Sequence, residues 1–363
     1  LIDMHVHLRE PGGEDSEDIA SGARAAAAGG FTTVLAMPNT RPPLDNRRLL
    51  DRLRRQAAGA PVRVLFAGCA TKGQLGRELA DLRGMDAVSE DGRSVLDAGL
   101  MRRALELARR LRLPFISHCE DPALSRGAPV NEGRASRRLG LPGQSWAAET
   151  ALVLRDLALA ELTGAHVHVA HLSCAQSVAA VRQAKRRGLP VTAEAAPHHL
   201  CLCEDDIPGP DPDFKMNPPL RSRRDRAALQ EGLRDGAIDA VATDHAPHAP
   251  ARKAVGMRAA PFGVIGMETA LAAVLTYLVH RGKLTRRQLV ERMSSAPARI
   301  LGLRDRGALK PGCAADVTVL SALEPWTVPS RFASRSRNCP FIGRRLRGRI
   351  RATVLAGRVV HAL

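Results

Sequence analysis

The string DMHVHLREPG, residues 3–12, lies near the start of the chain and places His5 and His7 one residue apart. The apolar residues before them predict a β-strand. Side chains two positions apart on an extended strand point to the same face, so both imidazoles can reach one metal ion. A His-x-His string alone also fits ordinary core or surface histidines, and its meaning depends on the rest of the chain.

Seven further short apolar runs follow the first one, and segments with helical spacing separate them. The eight predicted strands cover residues 1–6, 32–36, 62–67, 86–89, 115–117, 166–170, 191–193 and 237–243. The predicted helices include residues 16–28, 44–58, 101–111, 147–162, 175–187 and 223–233. This alternation predicts an α/β fold, a (β/α)8 TIM-like barrel.

The C-terminal residues follow a different pattern, with predicted strands at residues 316–320 and 350–361. We expect a barrel domain over residues 1–304 and the strands of a small β-sandwich over residues 305–363. The chain begins in strand pattern at Leu1, with no preceding turn or cap. We therefore expect that N-terminal residues, including the other part of the β-sandwich, are missing.

The net charge of +17 suggests nucleic-acid binding, but the distribution of charge argues against it. The arginines are scattered through all the predicted helices, which is typical of solvated helix faces, and only 3% of residues are aromatic. We expect no nucleic-acid partner. No signal peptide or membrane-spanning apolar run is present, and the seven cysteines form no paired framework, so we predict a cytoplasmic enzyme.

Residues that can bind metal ions lie at the carboxyl ends of the predicted strands. They are His5, His7, Asp91, His118, His171 and Asp244. Each aspartate alone also fits a helix cap, and each histidine a buried polar group. In a barrel, however, these strand ends open onto one face, which holds the active site. Four imidazoles and two carboxylates suit one or two zinc-like ions, with a carboxylate such as Asp91 as the bridge.

Such a site predicts hydrolytic chemistry, because a bound divalent ion lowers the pKa of water to near neutrality. Asp244 could take the proton and pass it to a leaving nitrogen. Arg9 lies two residues after His7, on the same face of the extended chain, and suits a substrate carboxylate. Further candidate substrate contacts are Asn39, Asn217 and His248.

Ten strings together resemble the dihydroorotases of the cyclic amidohydrolase superfamily, of the type I form whose bridging ligand is an aspartate. The strings are DMHVHLREPG, GGFTTVLAMPNT, SEDGR, ISHCEDP, VAHLS, AEAAPHHL, KMNPPLR, ATDHAPHAP, APFGVIGMETA and SRNCPFIG. The resemblance implies that the six residues above bind metal and that Asp244 is catalytic. It also implies that Arg9, Asn39 and His248 hold a substrate carboxylate. Asn217, with the backbone at Pro261, Phe262 and Gly263, would face a pyrimidine ring.

The activity implied is the zinc-dependent, reversible cyclisation of N-carbamoyl-L-aspartate to L-dihydroorotate in pyrimidine biosynthesis. The resemblance also makes a homodimer and an association with aspartate transcarbamoylase plausible. The link over residues 76–91 is shorter than in the family, which predicts a weaker second metal site.

Two other functions stay open from the sequence. A hydantoinase or allantoinase would not need the carboxylate grip of Arg9, Asn39 and His248, and most of these enzymes use a carboxylated lysine bridge. An inactive scaffold for aspartate transcarbamoylase should lack several metal histidines, whereas this chain keeps all of them.

Overall fold

The computed structural model describes residues 1–363 and contains thirteen strands and fourteen α-helices. The strands are β1 (Ile2–Val6), β2 (Thr33–Ala36), β3 (Arg63–Cys69), β4 (Ala87–Ser89), β5 (Phe115–Ser117), β6 (Val130–Asn131), β7 (Gly143–Gln144), β8 (Val167–Val169), β9 (Val191–Ala195), β10 (Ala240–Val241), β11 (Val317–Thr327), β12 (Arg345–Leu355) and β13 (Arg358–Ala362). The helices are α1 (Ile19–Ala28), α2 (Arg47–Ala57), α3 (Ala98–Leu111), α4 (Pro122–Ser125), α5 (Arg134–Leu139), α6 (Ala147–Thr163), α7 (Ala175–Arg186), α8 (Pro197–Cys201), α9 (Arg223–Asp235), α10 (Pro250–Lys253), α11 (Gly256–Ala259), α12 (Met267–Val274), α13 (Arg286–Val290) and α14 (Ala296–Ile300).

Eight parallel strands form the predicted barrel, in the order β1-β2-β3-β4-β5-β8-β9-β10. Their side chains are almost all buried, because helices cover the outer face and side chains from neighbouring strands fill the inside. The (β/α)8 fold is therefore confirmed, and each of the eight predicted runs overlaps one barrel strand, with β3 and β9 each extending two residues further than predicted. The small pair β6 and β7 lies in the long connection between β5 and β8 and was not predicted.

The barrel closes between β10 and β1 through a side chain. The backbone N–H of Thr243 donates to Asp3 Oδ1 at 2.9 Å, and its hydroxyl donates to Asp3 Oδ2 at 2.6 Å. Further along, the backbone N–H of His7 donates to the carbonyl of His245 at 2.8 Å. Asp3 is fully buried. Its carboxylate accepts hydrogen bonds at a place where, in a regular sheet, the backbone carbonyls of the neighbouring strand would accept them.

The eighth strand is shorter than predicted for this reason. Only Ala240–Val241 is a strand, against the predicted residues 237–243. Before it, the N–H of Ile238 donates to the carbonyl of Gly232 at the end of α9. After it, the N–H of Thr243 turns to Asp3. The apolar pattern of the sequence is the same whether the backbone N–H groups of this run bond to a neighbouring strand or to other partners, so it could not predict the shorter strand.

The C-terminal strands form one antiparallel sheet in the order β11-β12-β13. β11 extends beyond the predicted residues 316–320, and the run at residues 350–361 is a hairpin that turns at Ala356 and Gly357, both with positive φ. The sheet packs on α1: the Thr353 hydroxyl donates to the carbonyl of Ala27 at 2.7 Å. The division at residue 304 stays a prediction.

Between β11 and β12, residues 328–344 return to the barrel. Ser334, Ser336, Asn338 and Phe341 are buried there, and the Ser336 hydroxyl donates to the carbonyl of Ser16 at 2.7 Å. The C-terminal part of the chain therefore contacts the same end of the barrel as the loops after β1 and β10. None of the helices combines the length and the apolar character that crossing a bilayer requires.

We expect Asp3→Ala to lower the free energy of unfolding by about 3 kcal/mol, because it leaves the buried N–H and hydroxyl of Thr243 without acceptors. Urea unfolding followed by circular dichroism measures this change. Asp51→Ala, which breaks only a surface ion pair with Arg47, is the control. An Asp3→Ala midpoint equal to that of the control would contradict the role of Asp3 in closure.

Candidate metal centre and substrate cavity

The six predicted ligands converge at the carboxyl end of the barrel, and all of them are buried. His5 lies in β1 and His7 follows it, while the other four lie one to three residues beyond β4, β5, β8 and β10. His7 Nε2 is 3.2 Å from Asp244 Oδ1, and His118 Nδ1 is 2.9 Å from His171 Nε2. The strand ends therefore bring together residues up to 239 positions apart in the sequence.

Asp91 lies at the centre of this group. Its Oδ1 is 3.0 Å from His5 Nε2 and 3.7 Å from His118 Nδ1, and its Oδ2 is 3.4 Å from His7 Nε2. The short link over residues 76–91 thus does not keep Asp91 away from the other ligands. A carboxylate in this position can bridge two cations, one near each group of histidines.

The ligand atoms fall into two overlapping sets, and within each set they lie within 4.8 Å of one another. One set is His5, Asp91 and His171, and the other is His5, His7 and Asp244. Imidazole nitrogens and carboxylate oxygens at these separations fit divalent transition-metal ions such as zinc.

Three polar side chains orient the histidines from outside this group. His5 Nδ1 donates to Glu194 Oε1 at 2.7 Å, His7 Nδ1 donates to Asn39 Oδ1 at 2.9 Å, and His118 Nε2 donates to Glu120 Oε2 at 3.0 Å. Each bond fixes which ring nitrogen faces the other ligands, as is usual for histidines that bind metal. Neither Glu120 nor Glu194 was predicted as a site residue. For Glu194 the sequence does contain a signal, because a carboxylate inside an apolar strand such as β9 is unusual.

The carboxylates of the site are held in the ionised form. Burial raises the pKa of Asp244, but the hydrogen bond from His7 and the positive charge on His5 outweigh it and hold this pKa below its usual range. The same competition, dominated by His5 and His168, lowers the pKa of Glu194 to about 2. Burial, with the charge on His118, lowers the pKa of His171 to about 3. The His171 ring is therefore neutral at neutral pH and can offer a ring-nitrogen lone pair to a cation.

Two of the ligands occupy unusual backbone conformations. His171 has φ of 30° and Asp244 has φ of 48°, in the region that residues with a side chain rarely adopt. The backbone N–H of His171 donates to Glu194 Oε1 at 3.4 Å, and strained conformations of this kind are concentrated at functional sites.

Beside the metal ligands is a cavity of about 150 Å³. Its wall is formed by His7, Arg9, Asn39, Asp91, Gly92, His118, His171, Asn217, Asp244, Ala246, Phe262 and Gly263. The volume is below that of cavities for drug-sized ligands and suits a small polar molecule.

Arg9 reaches this cavity by a different route from the one predicted. The prediction placed it on the extended strand with His7, but β1 ends at Val6 and Arg9 has φ of 59°. Its Nε donates to the carbonyl of Pro247 at 3.0 Å. Burial lowers the pKa of Arg9 to about 10, so the guanidinium stays charged at neutral pH.

The structure places the other predicted substrate residues at different depths. Asn39 lies in the wall, but its amide is engaged with His7 and donates to Asp91 Oδ2 at 3.0 Å. Asn217 donates to Glu120 Oε2 at 2.7 Å. His248 lies behind the wall, where its Nε2 donates to the carbonyl of Phe262 at 2.7 Å.

Phe262 and Gly263 line the cavity, whereas Pro261 is not part of its wall. The carbonyl of Pro261 instead accepts a hydrogen bond from Lys253 Nζ at 3.1 Å. The resemblance had implied that all three face a pyrimidine ring. These roles stay predictions.

Comparison with known proteins identifies the family. A family profile described as "Dihydro-orotase-like" matches residues 1–177. The chain is 52% identical over 370 residues to the dihydroorotase of Anaeromyxobacter dehalogenans strain 2CP-C, covering 99% of this chain and 85% of that protein. It is 50% identical over 366 residues to the dihydroorotase of Pelotomaculum thermopropionicum, covering 99% of this chain and 86% of that protein.

Solved structures with a similar fold are hydantoinases. The L-hydantoinase of Arthrobacter aurescens superposes with a TM-score of 0.87 at 25% identity, covering 100% of this chain and 85% of that one. The D-hydantoinase of a Thermus species gives a TM-score of 0.84 at 26% identity, with the same coverage. The fold is that of a cyclic amidohydrolase, and relatives about half identical to this chain are dihydroorotases. This chain belongs to the dihydroorotase family.

Proposed function

We propose that this protein catalyses the reversible cyclisation of N-carbamoyl-L-aspartate to L-dihydroorotate. The observation that carries the proposal is the position of the Arg9 guanidinium, in the wall of the same cavity as His7, Asp91 and Asp244. Both the open and the cyclic compound carry a carboxylate that takes no part in the reaction. A buried guanidinium can bind that carboxylate through two hydrogen bonds.

The curated relatives support this substrate over that of the hydantoinases. Relatives about half identical over nearly the whole chain are named dihydroorotase, whereas the two hydantoinases are about a quarter identical. A hydantoin ring carries no carboxylate of this kind, so a hydantoinase has no use for a charged Arg9 at this place. An inactive scaffold is disfavoured because all six predicted metal ligands are present and lie close together.

We propose zinc as the metal, bound as one or two ions. His5, His7 and Asp244 would hold one ion, and His118 and His171 a second, with Asp91 between them. The buried imidazole and carboxylate donors suit zinc, and Glu194, Asn39 and Glu120 orient the imidazoles for it. When bound, zinc would polarise the amide carbonyl and make water acidic enough to act as the nucleophile.

Asp244 would then move the proton. In the hydrolytic direction, water adds to the ring amide carbon, the carbon–nitrogen bond breaks, and the nitrogen gains a proton. The ionised Asp244 carboxylate, in the cavity wall and 3.2 Å from His7 Nε2, can accept the proton from water and deliver it to that nitrogen. Ring closure follows the same path in reverse.

Several associated proposals accompany this activity. A role in pyrimidine biosynthesis, a cytoplasmic location, a homodimer and an association with aspartate transcarbamoylase stay predictions. The activity itself is tested by assaying the purified protein with dihydroorotate, hydantoin and allantoin side by side. Turnover of hydantoin or allantoin in place of dihydroorotate would refute the proposed substrate.

We expect Asp244→Ala to keep the fold and to lower kcat for carbamoyl-aspartate cyclisation by at least about 100-fold, because proton transfer loses its carrier. Circular dichroism checks the fold and a colorimetric assay of ureido groups measures the rate. Asp51→Ala, a substitution of the same kind on the surface, should leave the rate unchanged. Near-normal turnover by Asp244→Ala would exclude the assigned mechanism.

We expect dialysis against a chelator to abolish activity and added zinc to restore it, because buried imidazole and carboxylate donors converge at the site. Elemental analysis of the untreated protein should find one or two divalent ions per chain. A fully active protein without any divalent ion would show that the metal site is wrongly assigned.

We expect Arg9→Met to raise KM for dihydroorotate by at least about tenfold, since a bidentate charge-assisted contact is lost while the volume is largely kept. Arg102→Met, which breaks an exposed pair with Glu106, is the matched control. Steady-state kinetics over a range of dihydroorotate concentrations give both values. An unchanged KM in Arg9→Met would mean that another group binds the carboxylate.

A further inference from the structure

Asn338 is a buried residue for which the proposed reaction gives no task. It belongs to the segment at residues 328–344 that returns from the C-terminal sheet to the barrel, and its side chain is 2% exposed. It lies in the string SRNCPFIG, and its side chain forms hydrogen bonds with residues 75 to 92 positions earlier in the sequence.

The Asn338 amide joins two segments that border the cavity. Its Nδ2 donates to the carbonyls of Ala246 and Gly263, each at 3.0 Å, and its Oδ1 accepts from the backbone N–H of His248 at 3.2 Å. Both hydrogens of the amide group and its oxygen are therefore used. No other type of side chain of this size offers two donors and an acceptor in one plane.

These contacts begin where the backbone ladder between the two segments ends. The N–H of Ala246 donates to the carbonyl of Val264 at 2.8 Å, and that is the last backbone bond between them on this side. Beyond it, the carbonyls of Ala246 and Gly263 both face the Asn338 amide. The amide thus continues the connection between the two segments toward the cavity.

The space between the two segments is too small for a side chain at position 263. Gly263 has φ of 134°, and a Cβ there would lie 2.7 Å from the Cβ of Ala246 and 3.1 Å from His248 Nε2. Only glycine fits this position. The Gly263 carbonyl also accepts from Lys253 Nζ at 2.9 Å, so it is held from two directions.

We propose that Asn338 is a positioning residue for substrate binding, which holds Ala246 and Gly263 at a fixed separation in the cavity wall. The inference rests on the proposed function, because the wall is assigned to the substrate. Asn338 touches no metal-binding side chain and does not line the cavity. It acts through the two segments, and its loss should affect the binding of substrate more than the chemical step.

Asn338→Asp is the decisive variant, because it keeps the shape and one acceptor but removes both donors and faces two carbonyl oxygens with a carboxylate. We expect KM for dihydroorotate to rise about tenfold or more, with kcat within about threefold and the metal content unchanged. Asn338→Ser, whose hydroxyl can reach at most one carbonyl, should give an intermediate KM and serves if Asn338→Asp does not fold.

The control separates positioning from stability. Thr353→Val removes one buried hydrogen bond, to the carbonyl of Ala27, from the same C-terminal part of the chain. It should lower the melting temperature and leave KM unchanged. If the folded Asn338 variants lose stability but keep the KM of the wild type, the proposal is wrong. If the wild type itself does not turn over dihydroorotate, the proposed function fails instead, independently of Asn338.

Discussion

The site depends on how the barrel closes between its first and last strands. His5 and His7 lie on one side of this seam and Asp244 on the other, so the closure sets the separation between them. The two strands share few backbone hydrogen bonds, and the buried carboxylate of Asp3 takes the N–H and hydroxyl of Thr243 instead. The 3.2 Å between His7 Nε2 and Asp244 Oδ1 follows from this closure, to which the backbone bond from His7 to the carbonyl of His245 also contributes.

A second constraint is electrostatic. Asp91, Asp244 and Glu194 are buried carboxylates, where an unpaired charge is costly, and Glu120 is a partly exposed carboxylate beside them. Imidazoles surround them, and hydrogen bonds and opposite charge outweigh burial at each of these groups. The arrangement that suits a divalent cation is thus also the one that lets these carboxylates remain ionised inside the barrel.

Much of the fold and the metal site could be predicted from the sequence, because both depend on local pattern. Apolar runs marked the eight strands, and the position of His118 or Asp91 after a run sufficed to place it at one end of the barrel. Other features depend on contacts between distant residues. The left-handed backbone of Arg9 and the early end of β10 at Val241 result from such contacts. The periodic spacing of apolar residues in the sequence does not predict either feature.

The return of residues 328–344 to the barrel has a consequence for how this enzyme can change in evolution. The C-terminal sheet looks like a separable unit, but the segment within it carries Asn338 to the loops that border the cavity. A recombination event that exchanged the C-terminal part between relatives would therefore also exchange part of the support of the binding site. The barrel loops and this segment are expected to be inherited together, although they lie far apart in the gene.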